Sequence, residues 1–269
     1  MAGVEFDETE QAAAHRLGLT GAEDVEWQAR CELAALYRLL AHFRMTDLID
    51  THISARVPGQ PGHFLINRYG VLFHEMRASD LVKVDAQGQA VQMGATAAPA
   101  QRVNRAGFVI HSAVHQARPD LHCVIHTHTT AGIAVSAQRD GLLPISQHAL
   151  KFYGKLAYHE YEGIALDTEE RERLVAALGS RKAMILRNHG LLAAGESVAA
   201  AFHEIYFLER ACQAQVAAQA GGAALHLPAE EVRLRAARQF DNDQASGIID
   251  LAWEAALRLV QEQGPGYRC

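Results

Sequence analysis

Two histidines one residue apart, in Ile125-His126-Thr127-His128, are the side chains of this chain best suited to grip a metal ion. On an extended strand residues i and i+2 project to the same face. Both imidazoles can therefore reach one cation at the roughly 2.0–2.1 Å of a zinc–nitrogen bond. The apolar Cys123-Val124-Ile125 ahead of them predicts a short buried strand, Cys123 to Thr127, with the pair at its end. A lone pair of this kind is more often a polar strand end than a ligand set, so other residues have to tip the balance. Asn188-His189-Gly190 is a strong turn sequence between two apolar runs, and it could expose a third histidine at a sheet edge. His111 and His115 stand at i and i+4, on one face of a helix expected from Ala106 to Ala117. A partly buried helix stripe explains that second pair as well as a function does. The chain has 15 histidines, and histidine is both the commonest transition-metal ligand and the side chain placed to move protons near neutral pH.

The elements that must position these residues follow from hydrophobic spacing. From Asp24 to Phe43 apolar residues recur at helical intervals, and from Ile49 to Val57 the period shortens toward that of a strand. Pro58-Gly59-Gln60-Pro61-Gly62 is a turn. His63–Ile66, Val71–Phe73 and Leu81–Val84 read as strands, and residues 85–103 as a hairpin and loop. Arg118-Pro119-Asp120 stops the helix that carries His111, because proline disfavours helix in the residue before it. A short helix is expected from Ala131 to Ala137 and a strand at Lys155–Tyr158. Asp167 with Glu170 resembles a capping box for a helix ending at Gly179. Met184–Arg187 and Leu191–Ala194 flank the turn histidine as strands, and Ser197 caps a long Ala-rich helix running to Gly221-Gly222. Pro228 to Gln263 has helical spacing and reads as a tail that wraps or docks. The organisation expected is an arm at 1–23, one α/β domain of mixed sheet and helix at 24–222, and a helical tail at 223–269.

Composition narrows the class. With 49% hydrophobic and 21% charged residues the chain can bury a sizeable core. A net charge of -6 and the lack of any Lys/Arg run argue against nucleic acid as partner. No apolar stretch is long enough for a bilayer, and the acidic first residues (Glu5, Asp7, Glu8, Glu10) do not make a signal peptide. Cys31, Cys123, Cys212 and Cys269 are scattered without a CxxC pair, which suits reduced thiols and a cytoplasmic protein.

Taken together, His111, Ala117-Arg118-Pro119-Asp120, Val124-Ile125-His126-Thr127-His128 and Arg187-Asn188-His189-Gly190 resemble the class II aldolase/adducin superfamily, over roughly residues 25 to 220. Thr51-His52-Ile53-Ser54-Ala55-Arg56 and Phe64-Leu65-Ile66-Asn67-Arg68-Tyr69-Gly70 look most like its adducin-type branch. The resemblance implies a three-layer α/β fold, with a central mixed or antiparallel sheet flanked by helices. It implies a divalent cation on His126, His128 and His189, with zinc expected first and iron, manganese or cobalt as alternatives. It also implies a homotetramer acting on a small molecule, and Lewis-acid lyase chemistry. In that chemistry an adjacent hydroxyl and carbonyl chelate the ion, which stabilises the enediolate left when a C–C or C–H bond breaks.

Departures from the family pattern redirect this expectation. The sugar-phosphate aldolases carry an acid/base glutamate where this chain has Gly107, and His111 one turn further on is the expected substitute. Their small, hydroxyl-lined phosphate loop is replaced by Thr51-His52 and Arg105-Ala106. His52, Asn104 and Arg105 are accordingly expected to bind substrate, Arg105 by clamping an anionic group. A tyrosine is a proton donor in the aldolases; Tyr158 is the candidate here, with Tyr153 and His148 behind it. His203 and Glu204 read as a helix face rather than a second metal site. Two other functions compete with the lyase: a non-haem Fe(II) oxygenase on the same fold, since nitrogen and oxygen sites discriminate poorly between such ions, and a non-catalytic adducin-like assembly module.

Overall fold

The structure, a computed structural model, describes residues 21–91, 102–163 and 168–269. Seven strands form one sheet: β1 (His52–Arg56), β2 (Phe64–Asn67), β3 (Leu81–Val84), β4 (Cys123–Thr127), β5 (Leu156–His159), β6 (Ala183–Leu186) and β7 (Gly190–Gly195). Their order is β3-β2-β1-β4-β7-β6-β5. Neighbours run antiparallel except β5 and β6, which are parallel. The helices are α1 (Ala22–His42), α2 (Arg105–Ala117), α3 (Thr130–Ser136), α4 (Gln147–Lys151), α5 (Thr168–Leu178), α6 (Val198–Gln219), α7 (Glu230–Phe240) and α8 (Ile248–Gln261).

Strand alternation sorts the sheet into two faces. Cys123 and Ile125 of β4, with Ile53, Ala55, Leu191 and Ala193, join the core under α1, α6 and α8. Val124 of β4, with Leu192, Ala194 and Met184, packs against Ile110 and Val114 of α2 and Leu174 and Leu178 of α5. Helices, sheet and helices make the three layers that the resemblance implied. On α1 the apolar stripe Leu33, Leu36, Tyr37 and Leu40 is wholly buried, and each such side chain contributes about 1.5–3 kcal/mol. Side-chain caps start the helices that frame the histidines: Asn104 accepts from the amides of Ala106 and Gly107 on α2, Thr129 from Gly132 on α3, and Ser197 from Ala200 on α6.

The tail docks on the domain. Ile249, Trp253, Ala256 and Val260 of α8 enter the same core as α1 and α6, and the Trp253 ring lies 5.7 Å from that of Phe202. Among the described residues no helix is long and apolar enough to cross a membrane.

One expected strand is absent. Val71–Phe73 lies in coil and turn; Phe73 is buried and meets Tyr37 edge-on at 4.6 Å. A short apolar run reports burial but does not fix extension, and here a loop plugs the core. Asp167, the expected cap of α5, residues 1–20 of the expected arm and residues 92–101 of the expected loop lie outside the described residues.

A close seam joins β7 to α6. A Cβ built on Gly195 would stand 2.4 Å from the Ala201 amide nitrogen, and backbone cannot rotate out of the way as a side chain can. Gly195→Ala should therefore cost about 3 kcal/mol or more of unfolding free energy in urea, at the upper end of overpacking penalties. An unchanged midpoint would contradict this seam.

Candidate metal centre

The sheet register brings the sequence-distant histidines together. His126 stands directly opposite Leu192 of β7, which puts the hairpin turn between β6 and β7 beside the end of β4. In that turn Asn188 has φ 53, a left-handed conformation that asparagine tolerates better than most residues. Gly190 follows, where a Cβ would come 2.3 Å from the Thr127 carbonyl oxygen. The turn can therefore lie against β4 only with glycine after its histidine. His126, His128 and His189 converge: Nε2 of His128 is 2.8 Å from Nε2 of His126 and 2.9 Å from Nε2 of His189. These spacings are a little tighter than the about 3.3 Å edge of a tetrahedron of zinc–nitrogen bonds.

The donor chemistry fits a cation. The Nδ1 of His126 lies 2.9 Å from the Leu191 carbonyl, and that of His128 lies 3.1 Å from the Asp47 carboxylate. Both partners are acceptors, so each Nδ1 carries the proton and each Nε2 is left bare. Bare lone pairs facing one another repel, and a cation among them removes the conflict. Burial, reinforced by the neighbouring His52, His189 and His128, holds His126 well below the usual histidine range. Burial, then His128, holds His189 down to about 4. His126 is buried whereas His128 and His189 are partly exposed, so the triad opens to solvent on one side.

His52 sits on β1 directly across from His126, with ring centroids 5.0 Å apart. Its Nδ1 is 2.8 Å from Nε2 of His111. His111 is wholly buried, and its other nitrogen is 2.5 Å from Ser54 Oγ. Both nitrogens of the expected substitute base are thus committed inside the protein, and His52 is a ring that meets both His111 and His126. Gly107 explains the arrangement: a Cβ there would lie 2.5 Å from Cδ2 of His52. The imidazole fills the space that any side chain at 107 would need.

The remaining expected site residues sit at the start of α2 and on β5. Asn104 spends its side chain capping α2. Arg105 is exposed at the first residue of that helix. The Tyr158 hydroxyl accepts from the Leu142 amide at 3.0 Å, and its ring lies under the Arg187 guanidinium at 4.4 Å. Tyr158 is on β5, separated from β4 by β7 and β6, and it anchors a loop. Tyr153 donates to Glu230, and His148 packs on Phe207. Two residues near the triad went unread in the sequence. Asp47 orients His128, and Tyr161, half-exposed, places its ring 6.3 Å from that of His189. A cavity of about 420 Å³ is lined by Lys151, Glu204 and Phe240 among others, none of which contacts the triad.

A three-layer α/β sandwich with a histidine triad at the end of a central strand defines a class, and comparison with known proteins names it. Residues 31–216 match the family described as Class II Aldolase and Adducin N-terminal domain, and the chain belongs to it. It is 50% identical over 252 residues to a Pseudomonas aeruginosa protein provisionally named a class 2 aldolase, covering 90% of this chain and 93% of that one. It is 50% identical over 196 residues to Rattus norvegicus alpha-adducin, covering 72% of this chain and 26% of the adducin. Among solved structures, an aldolase II superfamily protein from Pseudomonas syringae superposes with TM-score 0.86 at 51% identity, covering 94% of this chain and 99% of that one. L-fuculose 1-phosphate aldolase from Glaciozyma antarctica superposes with TM-score 0.80 at 28% identity, covering 93% and 96%.

Two outcomes follow from this geometry. Asp47→Ala should weaken zinc binding roughly 10- to 100-fold in a chelator competition without changing stoichiometry, as loss of a ligand's outer partner does; undiminished affinity would show that the Asp47 contact is idle. The second concerns acid. Burial holds His115 at about 3 and His189 at about 4 in the folded chain, below about 6.5 when unfolded. Between those values the unfolded chain binds more protons, so the stabilisation is fully present above about pH 6.5 and is lost as pH falls toward the folded values. The urea midpoint of the metal-free protein should therefore drop steadily from about pH 7 to pH 4, and a flat profile would contradict neutral imidazoles.

Proposed function

We propose that the chain is a divalent-metal-dependent lyase of the aldolase type, cleaving a C–C bond or removing a carboxyl group from a small hydroxy-carbonyl compound. The convergence of three imidazole nitrogens on a partly open face carries this reading. Three protein ligands with room for a guest is the pattern of catalytic rather than structural zinc sites. When bound, the cation supplies Lewis acidity to a chelating substrate. The protein's part is orientation: Asp47 and the Leu191 carbonyl fix two ligand rings, and Tyr161 flanks the opening beside His189. The likeness to L-fuculose 1-phosphate aldolase supports an aldol-type substrate. The replacement of a carboxylate position by Gly107 and His52 points to a substrate other than that enzyme's own. Zinc is the metal we favour. A homotetramer in the cytoplasm is the state we infer, and light scattering checks the assembly.

The identity to alpha-adducin favours a second reading, a non-catalytic assembly module. Retention of all three histidines in ligand geometry argues for the enzyme.

Elemental analysis of freshly purified protein decides between them. About one equivalent of zinc, iron, manganese or cobalt per chain is expected, and none in His126→Ala. Hydroxy-keto acids and sugar phosphates can then be screened for cleavage. A wild-type chain that purifies without metal and takes up none from micromolar zinc would sink the lyase reading.

A further inference from the structure

The parallel pairing of β5 and β6 sets Leu156 beside Ala183, so the segments leading into the two strands run side by side at one end of the sheet. Lys151, Phe152 and Lys155 from the first segment, with Arg181 and Lys182 from the second, line the cavity of about 420 Å³. Phe240, Asp243 and Ile249, from the end of α7 to the start of α8, close it from another side. Its volume is that of a small-molecule site, about 300–1,000 Å³. Ala183, the first residue of β6, lines the cavity, whereas His189 follows the last. The cavity and the triad thus sit at opposite ends of one strand. Residues 240–249 also lie beyond the 31–216 family match, so the tail completes a cavity that the matched domain alone does not contain.

The charges around the cavity pair off and leave one of each sign. Lys151 meets Glu204 at 2.8 Å, Lys182 meets Glu196 at 2.7 Å, and Lys155 meets Asp241. Arg181 is then the lining cation without an ion pair among the described residues. Its backbone is fixed, because Arg118 donates to the Arg181 carbonyl at 2.9 Å. Asp243 is the carboxylate left over. The basic group nearest it is His203, whose Nε2 lies 3.8 Å away, beyond hydrogen-bond reach. Burial keeps that imidazole neutral near pH 7, with its pKa down to about 4.

An exposed arginine alone is ordinary. A guanidinium and a partly buried carboxylate left over in one cavity suit a guest that carries both charges. A simple anion would satisfy Arg181 and be repelled by Asp243, and a simple cation would meet the reverse conflict. Phe152 and Ile249 are buried apolar residues, and with Phe240 they offer a wall for an apolar group.

We propose that this cavity binds an α-amino acid with an apolar side chain, its carboxylate on Arg181, its ammonium on Asp243 and its side chain against Phe152, Phe240 and Ile249. The guest touches both the domain and the tail, so it strengthens the docking of α7 and α8. Lys155 already fastens the same junction by donating to the Ala237 carbonyl of α7 at 2.6 Å. The site needs no metal and stands apart from the lyase reading.

Isothermal titration calorimetry of the full-length protein with L-phenylalanine, L-leucine and L-methionine tests this. At least one of the three should bind at one site per chain. For L-phenylalanine, 3-phenylpropionate lacks the ammonium and phenethylamine lacks the carboxylate; the matching deaminated and decarboxylated analogues serve for the other two. Each analogue should bind at least about tenfold more weakly, as loss of a hydrogen bond to a charged group implies. Arg181→Ala and Asp243→Asn should each weaken the amino acid by a similar factor, and His126→Ala should leave its affinity unchanged. No binding of any of the three up to roughly 10 mM, an analogue that binds as tightly as its amino acid, or undiminished affinity in Arg181→Ala would each overturn the proposal. So would loss of binding in His126→Ala, which would put the guest at the triad. The analogues and Arg181→Ala decide even if Asp243→Asn does not fold. Metal content is measured separately, so a chain that binds the amino acid but takes up no zinc would defeat the lyase reading and leave this site standing.

Discussion

The pairing of β4 between β1 and β7 is the constraint on which the rest depends. It sets His126 opposite His52 on one side and opposite Leu192 on the other. Because side chains alternate with period two, a slip of one residue would swing His126 into the apolar layer under α1 and α6 and bring Ile125 to the site. The register is held by its other face: Cys123, Ile125, Ile53, Ala55, Leu191 and Ala193 can be buried together only in this alignment. The packing that stabilises the domain thus also aims the histidines.

The triad is the part most legible in the sequence, for a local reason. An HxH pair on a strand needs only the two-residue repeat to share a face, and Asn-His-Gly carries its turn chemistry within three residues. The helix α6 was similarly readable, since Ser197 announces it by capping it; the cap that Asn104 gives α2 was not read. What stayed hidden depends on contacts between distant segments. Asp47 lies 81 positions from His128, and nothing in its surroundings marks it as a partner. His111 looked like a free base because its helical spacing is visible, whereas the capture of both its nitrogens by β1 is not. Tyr158 follows β4 in chain order, but the sheet inserts two strands between β4 and its own strand, β5. Val71–Phe73 shows that a short apolar run reveals burial without revealing its geometry.

Family membership and site chemistry answer different questions here. The fold is shared with an aldolase and with adducins, and a fold hosts many functions. One feature of this site joins two positions that no local pattern links. Gly107 and His52 fit together as a hole and its filling, so the loss of a side chain on α2 and the presence of a ring on β1 are one feature. Replacing one member alone leaves either a void or a clash.

The same interlock fixes the charge of the pocket. The imidazoles of His52, His111 and His126 are kept neutral by burial, and among the residues described around the triad Asp47 is the carboxylate in direct contact. A divalent ion held there would leave a local surplus of about one positive charge, on a chain whose formal net charge is -6. Field lines from such a spot, focused by low-dielectric walls, would draw anions toward it while the remaining surface repels them. An acidic protein would then have one place where an acidic guest is welcome.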